Sequence, residues 1–266
     1  KALSQGQFGQ FPLYVFTSEG VWALEVMANG SYSARQPITR DVCVNPKGIT
    51  QLDSSVLFPS RRGVMLLSGS QTDCISEAIN SDRPFNPLLL PFFHQLHYSL
   101  TLPSEADMTL QPLSRFLHSC RMLYDYARQR VILFSPEVSY AYVYSLRSKA
   151  WGLIHSSIGS ALNSYPDALA LVENPDGSCS IMNYSEHADT QVHALFATRP
   201  LKLGAPDTLK TVRCVIQRGK FPRGHVGSVL YASRDLADWR LVWSSKDHYM
   251  RGFGGTPYKY FIIAGQ

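Results

Sequence analysis

The stretch that decides the fold is SVLFPSRRGVMLLS, residues 55–68. An apolar run from Val56 to Phe58 leads into a polar turn that ends at Gly63, and a second apolar run follows. Short apolar runs on either side of a glycine-containing turn are typical of two strands joined in a β-hairpin. The stretch therefore predicts an antiparallel hairpin.

The same pattern recurs along the chain, in residues 11–26, 131–154, 168–184 and 228–243. Gly20 and Gly63 in the first two turns are 43 residues apart, and Pro136 and Gly177 in two later turns are 41 residues apart. A period of about 40–50 residues with four strands per unit is typical of β-propeller blades. We therefore expect an all-β fold, a β-propeller-like array of antiparallel hairpins that forms one domain over residues 1–266. A β-sandwich is the alternative.

The composition is that of a chain with a large, strand-rich core. Hydrophobic residues make up 45% of the chain and charged residues 17%, which excludes a disordered protein. The aromatic residues favour strands, and we expect Trp22, Phe58, Phe134 and Trp243 on inner strand faces. Because the chain starts without Met and enters a strand almost at once, we expect it to be a fragment of a longer protein.

Residues 86–122 interrupt the repeat and are rich in proline. Residues 104–107, a serine followed by two acids within three positions, have the pattern of a helix N-terminus. Leu113, Phe116 and Leu117 then fall on one helical face. The segment predicts a partly helical insertion between two blades, with an irregular loop as the alternative.

No motif in the chain specifies an enzyme, a cofactor or a metal site. His94 and His97 have a spacing close to that of metal ligands, but no acid lies nearby. His118 and Cys120 lie two residues apart, and we do not interpret them as a Cys–His nucleophile pair. The five cysteines are widely spaced without a C-x-x-C pair, which favours small core residues in a reduced protein. We predict no catalytic residue.

One basic segment is a candidate contact for a polyanion. The net charge of +5 permits such a contact, and no acid lies between Asp207 and Asp235. A glycine-rich basic loop can follow a phosphate backbone, whereas strand alternation would divide its side chains between two faces. A solvated loop is the alternative. The candidate residues are Lys210, Arg213, Arg218, Lys220 and Arg223, with Arg234 beyond them.

Residues 233–239 resemble the Asp-box of sialidase-like propellers, which reads S-x-D-x-G-x-x-W. Ala237 stands where the box has glycine, and Trp239 comes one residue early. In that family the box stabilises a turn between blade strands and is not the catalytic site. The resemblance implies a propeller hairpin and does not imply sialidase activity.

A second resemblance covers roughly the first quarter of the chain. It lies in FPLYVFTSEGVWAL at residues 11–24, QPITRD at 36–41 and VLFPSRRGVMLLSGS at 56–70. These segments resemble phage-derived proteins of gut Bacteroidales and are similar in style to the packaged-DNA stabilisation proteins of short-tailed phages. Those are propeller-like tail subunits that assemble in rings below the portal, without a catalytic motif.

This resemblance implies a non-enzymatic structural protein of a phage or prophage, a tail or head–tail connector component found in the virion or the bacterial cytoplasm. Its partners would be other virion proteins or further copies of itself, with weak, non-specific DNA contact in the assembly. No apolar run reaches the roughly 18 residues of a membrane-spanning helix, so no membrane span is expected. The alternative is a glycan-binding or glycan-active, sialidase-like propeller, which the aromatic content and the Asp-box likeness favour.

Overall fold

A computed structural model of the chain describes residues 2–4, 13–27, 29–34, 37–84, 109–164, 167–174, 176–185, 196–205, 208–212, 214–216, 227–245, 249–251 and 257–265. The chain divides into two compact units. Unit 1 comprises Lys1–Phe85 and Thr109–His187, and unit 2 comprises Asn86–Met108 and Ala188–Gln266. Strands arranged in antiparallel sheets dominate the structure, which confirms the all-β prediction. The propeller arrangement stays a prediction.

The described part of unit 1 contains a series of sheets that follow one another along the chain. The first sheet holds β1 (Ala2–Ser4), β2 (Leu13–Thr17), β3 (Gly20–Val26), β4 (Tyr32–Ser33) and β5 (Pro37–Thr39). The second holds β6 (Thr50–Gln51), β7 (Ser55–Ser60), β8 (Gly63–Ser68) and β9 (Gln71–Cys74). The third holds β10 (Arg121–Asp125), β11 (Arg130–Phe134), β12 (Tyr140–Ser145) and β13 (Trp151–His155). The fourth holds β14 (Ile158–Ser164), β15 (Asp167–Glu173) and β16 (Cys179–Asn183).

The repeated hairpins are confirmed, and the first two share one turn chemistry. Thr17 ends β2 and Ser60 ends β7, and each hydroxyl accepts a hydrogen bond from the backbone N–H two residues later at 3.1 Å. Each hydroxyl also donates to the carbonyl of the turn glycine, Gly20 or Gly63. These glycines have φ values of 131° and 135°, where a Cβ would meet neighbouring oxygen atoms. Glycine is therefore required at both turns.

Strand β7 shows how neighbouring sheets pack together. Val56 and Phe58 point into a cluster shared with the first sheet, where the rings of Phe16 and Phe58 meet edge to face at 5.1 Å. Leu57 points the other way, into a cluster shared with the third sheet. Because side chains alternate along a strand, a strand that is covered on both faces reads as a continuous apolar run.

Strand β11 repeats this arrangement one sheet further along. Val131 and Leu133 face the second sheet, whereas Ile132 and Phe134 face the fourth. All four side chains are at most 1% exposed. Burying an aliphatic or aromatic side chain of this size contributes about 1.5–3 kcal/mol. The second and third sheets thus hold unit 1 together through both of their faces.

Helix α1 (Leu113–Ser119) lies within the predicted insertion. Its buried residues are Leu113, Phe116 and Leu117, as the helical pattern predicts, and they join the core between the second and third sheets. Residues 85–108 lie outside the described residues, so the rest of the insertion is untested. Strand β10 begins at Arg121, close to the predicted end of the insertion at residue 122.

Unit 2 contains a sheet in the order β17 (Phe196–Ala197), β23 (Tyr260–Gly265), β20 (Ser228–Ser233), β21 (Arg240–Ser245), and β18 (Leu201–Lys202) also pairs with β23. Strands β19 (Cys214–Ile216) and β22 (Tyr249–Arg251) form a separate pair. The predicted fifth hairpin is the β20–β21 pair. Both faces of β20 are buried, with Val229 and Tyr231 on one side and Leu230 and Ala232 on the other.

The four predicted core aromatics have different outcomes. Phe58 and Phe134 are fully buried, as expected, and Trp22 is half-buried. The prediction for Trp243 is wrong, because 37% of this residue is exposed. Trp243 lies on β21, which is the last strand of its sheet. A strand at a sheet edge has a neighbour on one side only, so its side chains receive less cover.

Candidate functional site

The predicted polyanion residues begin at Lys210, which is exposed in the structure. Its backbone forms an antiparallel bridge with Tyr258, in which each N–H donates to the other's carbonyl, at 2.7 and 2.9 Å. The remaining candidates, Arg213, Arg218, Lys220 and Arg223, lie outside the described residues. Convergence of the five side chains therefore stays a prediction.

Two further cations of unit 2 lie over tyrosine rings at this end of the sheet. The guanidinium carbon of Arg234 is 5.9 Å from the centre of the Tyr258 ring, and Nζ of Lys259 is 5.7 Å from the centre of the Tyr260 ring. A cation over an aromatic face is attracted by the negative charge density of the ring, by about 0.5–1 kcal/mol at exposed sites. Arg234 itself is exposed.

We call this group the basic–aromatic surface; it comprises Lys202, Lys210, Arg234, Tyr258, Lys259 and Tyr260. Lys202 belongs to it because it pairs with Tyr260 between β18 and β23. Only Lys210 and Arg234 were recognised from the sequence. Tyr258 was missed because it lies about fifty positions further along the chain and reaches Lys210 only through strand pairing, and Lys259 follows Tyr258 in the sequence. Basic side chains attract a phosphate backbone, and aromatic rings can stack on unpaired bases.

The Asp-box-like turn joins β20 to β21 in unit 2. Asp235 Oδ1 accepts hydrogen bonds from the backbone N–H groups of Ala237 and Asp238, at 3.0 and 3.1 Å, and from the hydroxyl of Ser233. The indole N–H of Trp239 donates to the Leu236 carbonyl at 3.1 Å. Side chains of the motif therefore form the hydrogen bonds that the backbone N–H and carbonyl groups of this turn require.

The electrostatics of this turn fit a structural role. Hydrogen bonds from the backbone of Asp238 and Ala237, with a third from Ser233, lower the pKa of the Asp235 carboxyl below its usual value. A carboxyl held as the anion by its own turn is not poised to donate a proton at neutral pH. The left-handed residue is Leu236, with φ of 72°, one position before the glycine of the motif.

A buried carboxylate ties the third sheet to the fourth in unit 1. Asp125 is fully buried and accepts a hydrogen bond from Nε of Arg130 at 2.8 Å and another from the Ser185 hydroxyl at 3.1 Å. The guanidinium groups of Arg128 and Arg130 both donate to the Tyr184 carbonyl, at 2.9 and 2.8 Å. Buried charges are tolerated when they are paired in this way. The group is engaged in holding two sheets together.

In unit 1, the aromatic residue Tyr124 forms a hydrogen bond with an acidic side chain. Its hydroxyl donates to Asp53 Oδ2 at 3.1 Å, and its ring meets that of Tyr126 edge to face at 6.1 Å. Burial and the neighbouring carboxylate of Asp53 raise the pKa of Tyr124 to about 12. The phenol therefore stays protonated at neutral pH and acts as a donor. Tyr126 is 38% exposed.

The thiols and histidines form no described reactive group. Cys43, Cys74, Cys120 and Cys179 are free, and burial raises the pKa of the Cys120 thiol to about 12. Across the ranges described, no three His, Cys, Asp or Glu side chains come together in a way that could hold a metal ion. His94 and His97 lie outside those ranges. His118 is exposed at the end of α1, whereas Cys120 is buried.

The fourth sheet of unit 1 carries the feature that sequence reasoning missed. Its inner face packs on the third sheet through small residues, among them Ala168 and Ala170. On its outer face, Leu162 is 60% exposed, Leu171 39% and Ile181 75%. We call these three residues, with Leu169 between them, the outer apolar face.

A signal for this face was present in residues 168–171, which read Ala-Leu-Ala-Leu. In a strand, this order places small residues on one side and large aliphatic residues on the other. In the structure, the small residues Ala168 and Ala170 are buried in the core, whereas the larger Leu171 is exposed. The hairpin pattern predicts a strand here but does not predict which of its faces is covered.

The fold thus defines the class of the protein: an all-β protein of successive antiparallel sheets. None of its described helices is long and apolar enough to cross a membrane. Compared with known proteins, the chain matches no family model and no curated sequence. Its function must therefore be inferred from its own surfaces.

Proposed function

We propose that the chain is a non-enzymatic structural protein that acts by assembly, as a tail or head–tail connector component of a phage or prophage. In this proposal its sheets are propeller blades. It works by contact with other virion proteins or with further copies of itself, in the virion or in the bacterial cytoplasm before assembly.

The observation that carries the proposal is the outer apolar face. Exposed large aliphatic side chains that lie together on one sheet are characteristic of protein–protein contacts. Two polar clusters among the described residues have structural tasks instead: Asp235 organises a turn, and Asp125 links two sheets. The likeness of residues 11–70 to phage proteins supports the virion as the place of assembly.

The test is to locate the protein in particles. An antibody raised against the chain should label purified phage particles at the tail or at the head–tail junction, and mass spectrometry should recover the chain from those particles. Complete particles that lack the chain would overturn the proposal. Portal, terminase and tail genes beside its own gene would support it independently.

A glycan-binding role is the second candidate, and one observation favours it. Exposed Tyr126 and the Tyr124–Asp53 pair present an aromatic ring, a hydroxyl and a carboxylate side by side. A glycan array would test it: binding that Tyr126→Ala removes would support this role, and an array without binding would exclude it. The Asp-box likeness adds no support, because Asp235 serves its own turn.

A further inference from the structure

We infer that Asn29 is a modification site, at which the side-chain amide is lost by spontaneous deamidation and the turn accommodates the aspartate that forms. Asn29 is exposed in the turn between β3 and β4, and Gly30 follows it. It is the one asparagine of the chain that precedes a glycine. Asparagine is among the chemically labile side chains of proteins. The inference does not depend on the proposed function.

The reaction consumes water and releases ammonia. The backbone nitrogen of Gly30 loses its proton to a base from solvent and attacks Cγ of Asn29; Nδ2 takes up a proton, its bond to Cγ breaks, and it leaves as ammonia. Water then opens the cyclic imide. Opening at Cγ gives aspartate, and opening at the backbone carbonyl carbon gives isoaspartate, whose main chain is one carbon atom longer. Glycine favours the attack because it has no side chain to obstruct its nitrogen.

A second turn of unit 1 already holds the aspartate that this reaction would form. In the turn between β15 and β16, Asp176 precedes a glycine as Asn29 does. Oδ1 of Asn29 accepts hydrogen bonds from the backbone N–H and the hydroxyl of Ser31, at 3.0 and 2.7 Å. Oδ1 of Asp176 accepts from the same two groups of Ser178, at 2.9 and 2.6 Å. The amide oxygen and the carboxylate oxygen therefore have the same partners.

The backbones of the two turns match as well. Gly30 and Gly177 have φ values of 80° and 79°. Their N–H groups donate to the carbonyls of Met27 and Asn174, at 2.8 and 2.9 Å. Met27 and Asn174 each donate their own N–H across the turn at 2.8 Å. Aspartate at position 29 would thus keep the hydrogen bonds of the turn and strengthen those to its side chain, since a charged acceptor forms stronger hydrogen bonds.

The position of the turn between β3 and β4 allows it to open for the attack. The N–H of Gly30 donates to the Met27 carbonyl in the closed turn, so this hydrogen bond must break first. Strand β4 pairs with β3 through Tyr32 and Ser33 alone and lies at the end of the strand order of its sheet. Short elements with exposed hydrogen bonds open locally at a low cost in free energy.

Asp176 provides an internal reference, because it should react much more slowly than Asn29 at neutral pH. Hydrogen bonds from the hydroxyl and the backbone N–H of Ser178 lower the pKa of the Asp176 carboxyl below its usual value. The group is therefore ionised, and a carboxylate resists attack by an amide nitrogen. The two turns thus present an amide and a carboxylate to the same nucleophile in the same geometry.

The test is to incubate the purified chain at neutral and at mildly alkaline pH, and to follow it by ion-exchange chromatography and peptide mass mapping. We expect a form whose net charge is one unit below +5, with aspartate and isoaspartate at position 29. It should form faster at alkaline pH, because the deprotonated nitrogen of Gly30 is the attacking species. Asp176 should remain unmodified over the same period at neutral pH.

Gly30→Ala should slow the reaction severalfold, because a methyl group obstructs the approach of the nitrogen. Gly177→Ala is the matched control and should leave the rate at Asn29 unchanged. The two glycines have nearly the same φ, and an added Cβ would meet no atom within 4 Å at either position. Circular dichroism checks that both variants fold.

A second measurement tests whether the turn accommodates the product. Asn29→Asp should unfold at the same urea concentration as the unmodified chain. Asn29→Ala should unfold at a lower concentration, because it removes the acceptor of both hydrogen bonds from Ser31.

An Asn29 side chain that survives long incubation at alkaline pH, an equally fast reaction at the exposed Asn80, or equal slowing by the two glycine variants would each overturn the modification site. An Asn29→Asp variant as unstable as Asn29→Ala would refute the accommodation of the product. All of these measurements use the purified chain, so their outcome is separate from whether phage particles contain it.

Discussion

At the scale of single residues, Asp125 offers the sharpest test of what holds unit 1 together. Asp125→Asn keeps the size of the side chain but removes the charge that faces Arg130, whose side chain is only 26% exposed. We expect the free energy of unfolding to fall by about 3 kcal/mol, the lower end of the range for a broken buried ion pair, because Arg130 keeps some contact with water. Urea denaturation measures the change.

Asp41→Asn is the control for this prediction. Asp41 pairs with Arg62 at 3.2 Å, but the Arg62 side chain is 63% exposed. A pair of this kind contributes about 0–1 kcal/mol. Equal losses of unfolding free energy in Asp125→Asn and Asp41→Asn would show that burial does not determine how much an ion pair contributes.

A second residue-scale prediction concerns the left-handed position in the β20–β21 turn. Leu236→Gly should raise the free energy of unfolding by about 0.5–1 kcal/mol, because glycine adopts a positive φ without the clash that Leu236 incurs. Ala237→Gly should lower it by about 0.5–1 kcal/mol, since Ala237 has no positive φ and glycine only adds freedom to the unfolded chain. Thermal unfolding of both variants checks the signs, and a stabilising Ala237→Gly would contradict the observed turn.

At the scale of elements, apolar side chains that pack between neighbouring sheets stabilise unit 1. Phe58 of β7 is fully buried and meets Phe16 of β2 across the interface between the first and second sheets. Phe58→Ala should lower the free energy of unfolding by about 3–5 kcal/mol, through lost burial and the cavity left behind. Phe58→Leu should retain much of the stability, because it fills more of the space.

Tyr32→Ala serves as the reference for this measurement. Its side chain is largely exposed in β4, so the change should stay within about 0.5 kcal/mol. A small loss for Phe58→Ala would mean that the two sheets do not depend on this contact.

At the scale of the whole molecule, contact with DNA remains a prediction for the basic segment of unit 2. We expect this contact in the assembly rather than in the isolated chain. If the segment contacts DNA, binding should show no sequence preference, with a non-specific affinity of about 10⁻⁴–10⁻⁶ M, and each neutralised phosphate should add about −0.9 to the slope of log K against log salt. Lys210→Ala with Arg234→Ala should make that slope less steep by about two such contributions. The same test applies to the remaining candidates, Arg213, Arg218, Lys220 and Arg223.

Lys47→Ala with Arg61→Ala is the matched control, since both residues are exposed cations of unit 1. Equal changes in the two double variants would show that only net charge matters. Binding that ignores salt would refute the electrostatic account, and no binding at low salt would leave the segment as a solvated loop.

The sequence by itself determined the strands and their hairpins. A hairpin depends on neighbours in the chain: apolar runs form the strands, and Thr17 with Gly20, or Ser60 with Gly63, closes the turn with local hydrogen bonds. The buried face of α1 followed from the same local periodicity. These features could be predicted because each is decided within about ten residues.

The tertiary structure alone decided which strand faces are covered and which residues meet across the chain. Phe58 and Trp243 both lie in apolar strands, but Phe58 lies between two packed sheets and Trp243 on an edge strand. Tyr258 reaches Lys210 through a bridge between distant segments. Among the described residues of the fourth sheet, Ala168 and Ala170 are buried on one face and Ile181 is exposed on the other. Burial and contact depend on neighbours far away in sequence, so no local pattern determines them.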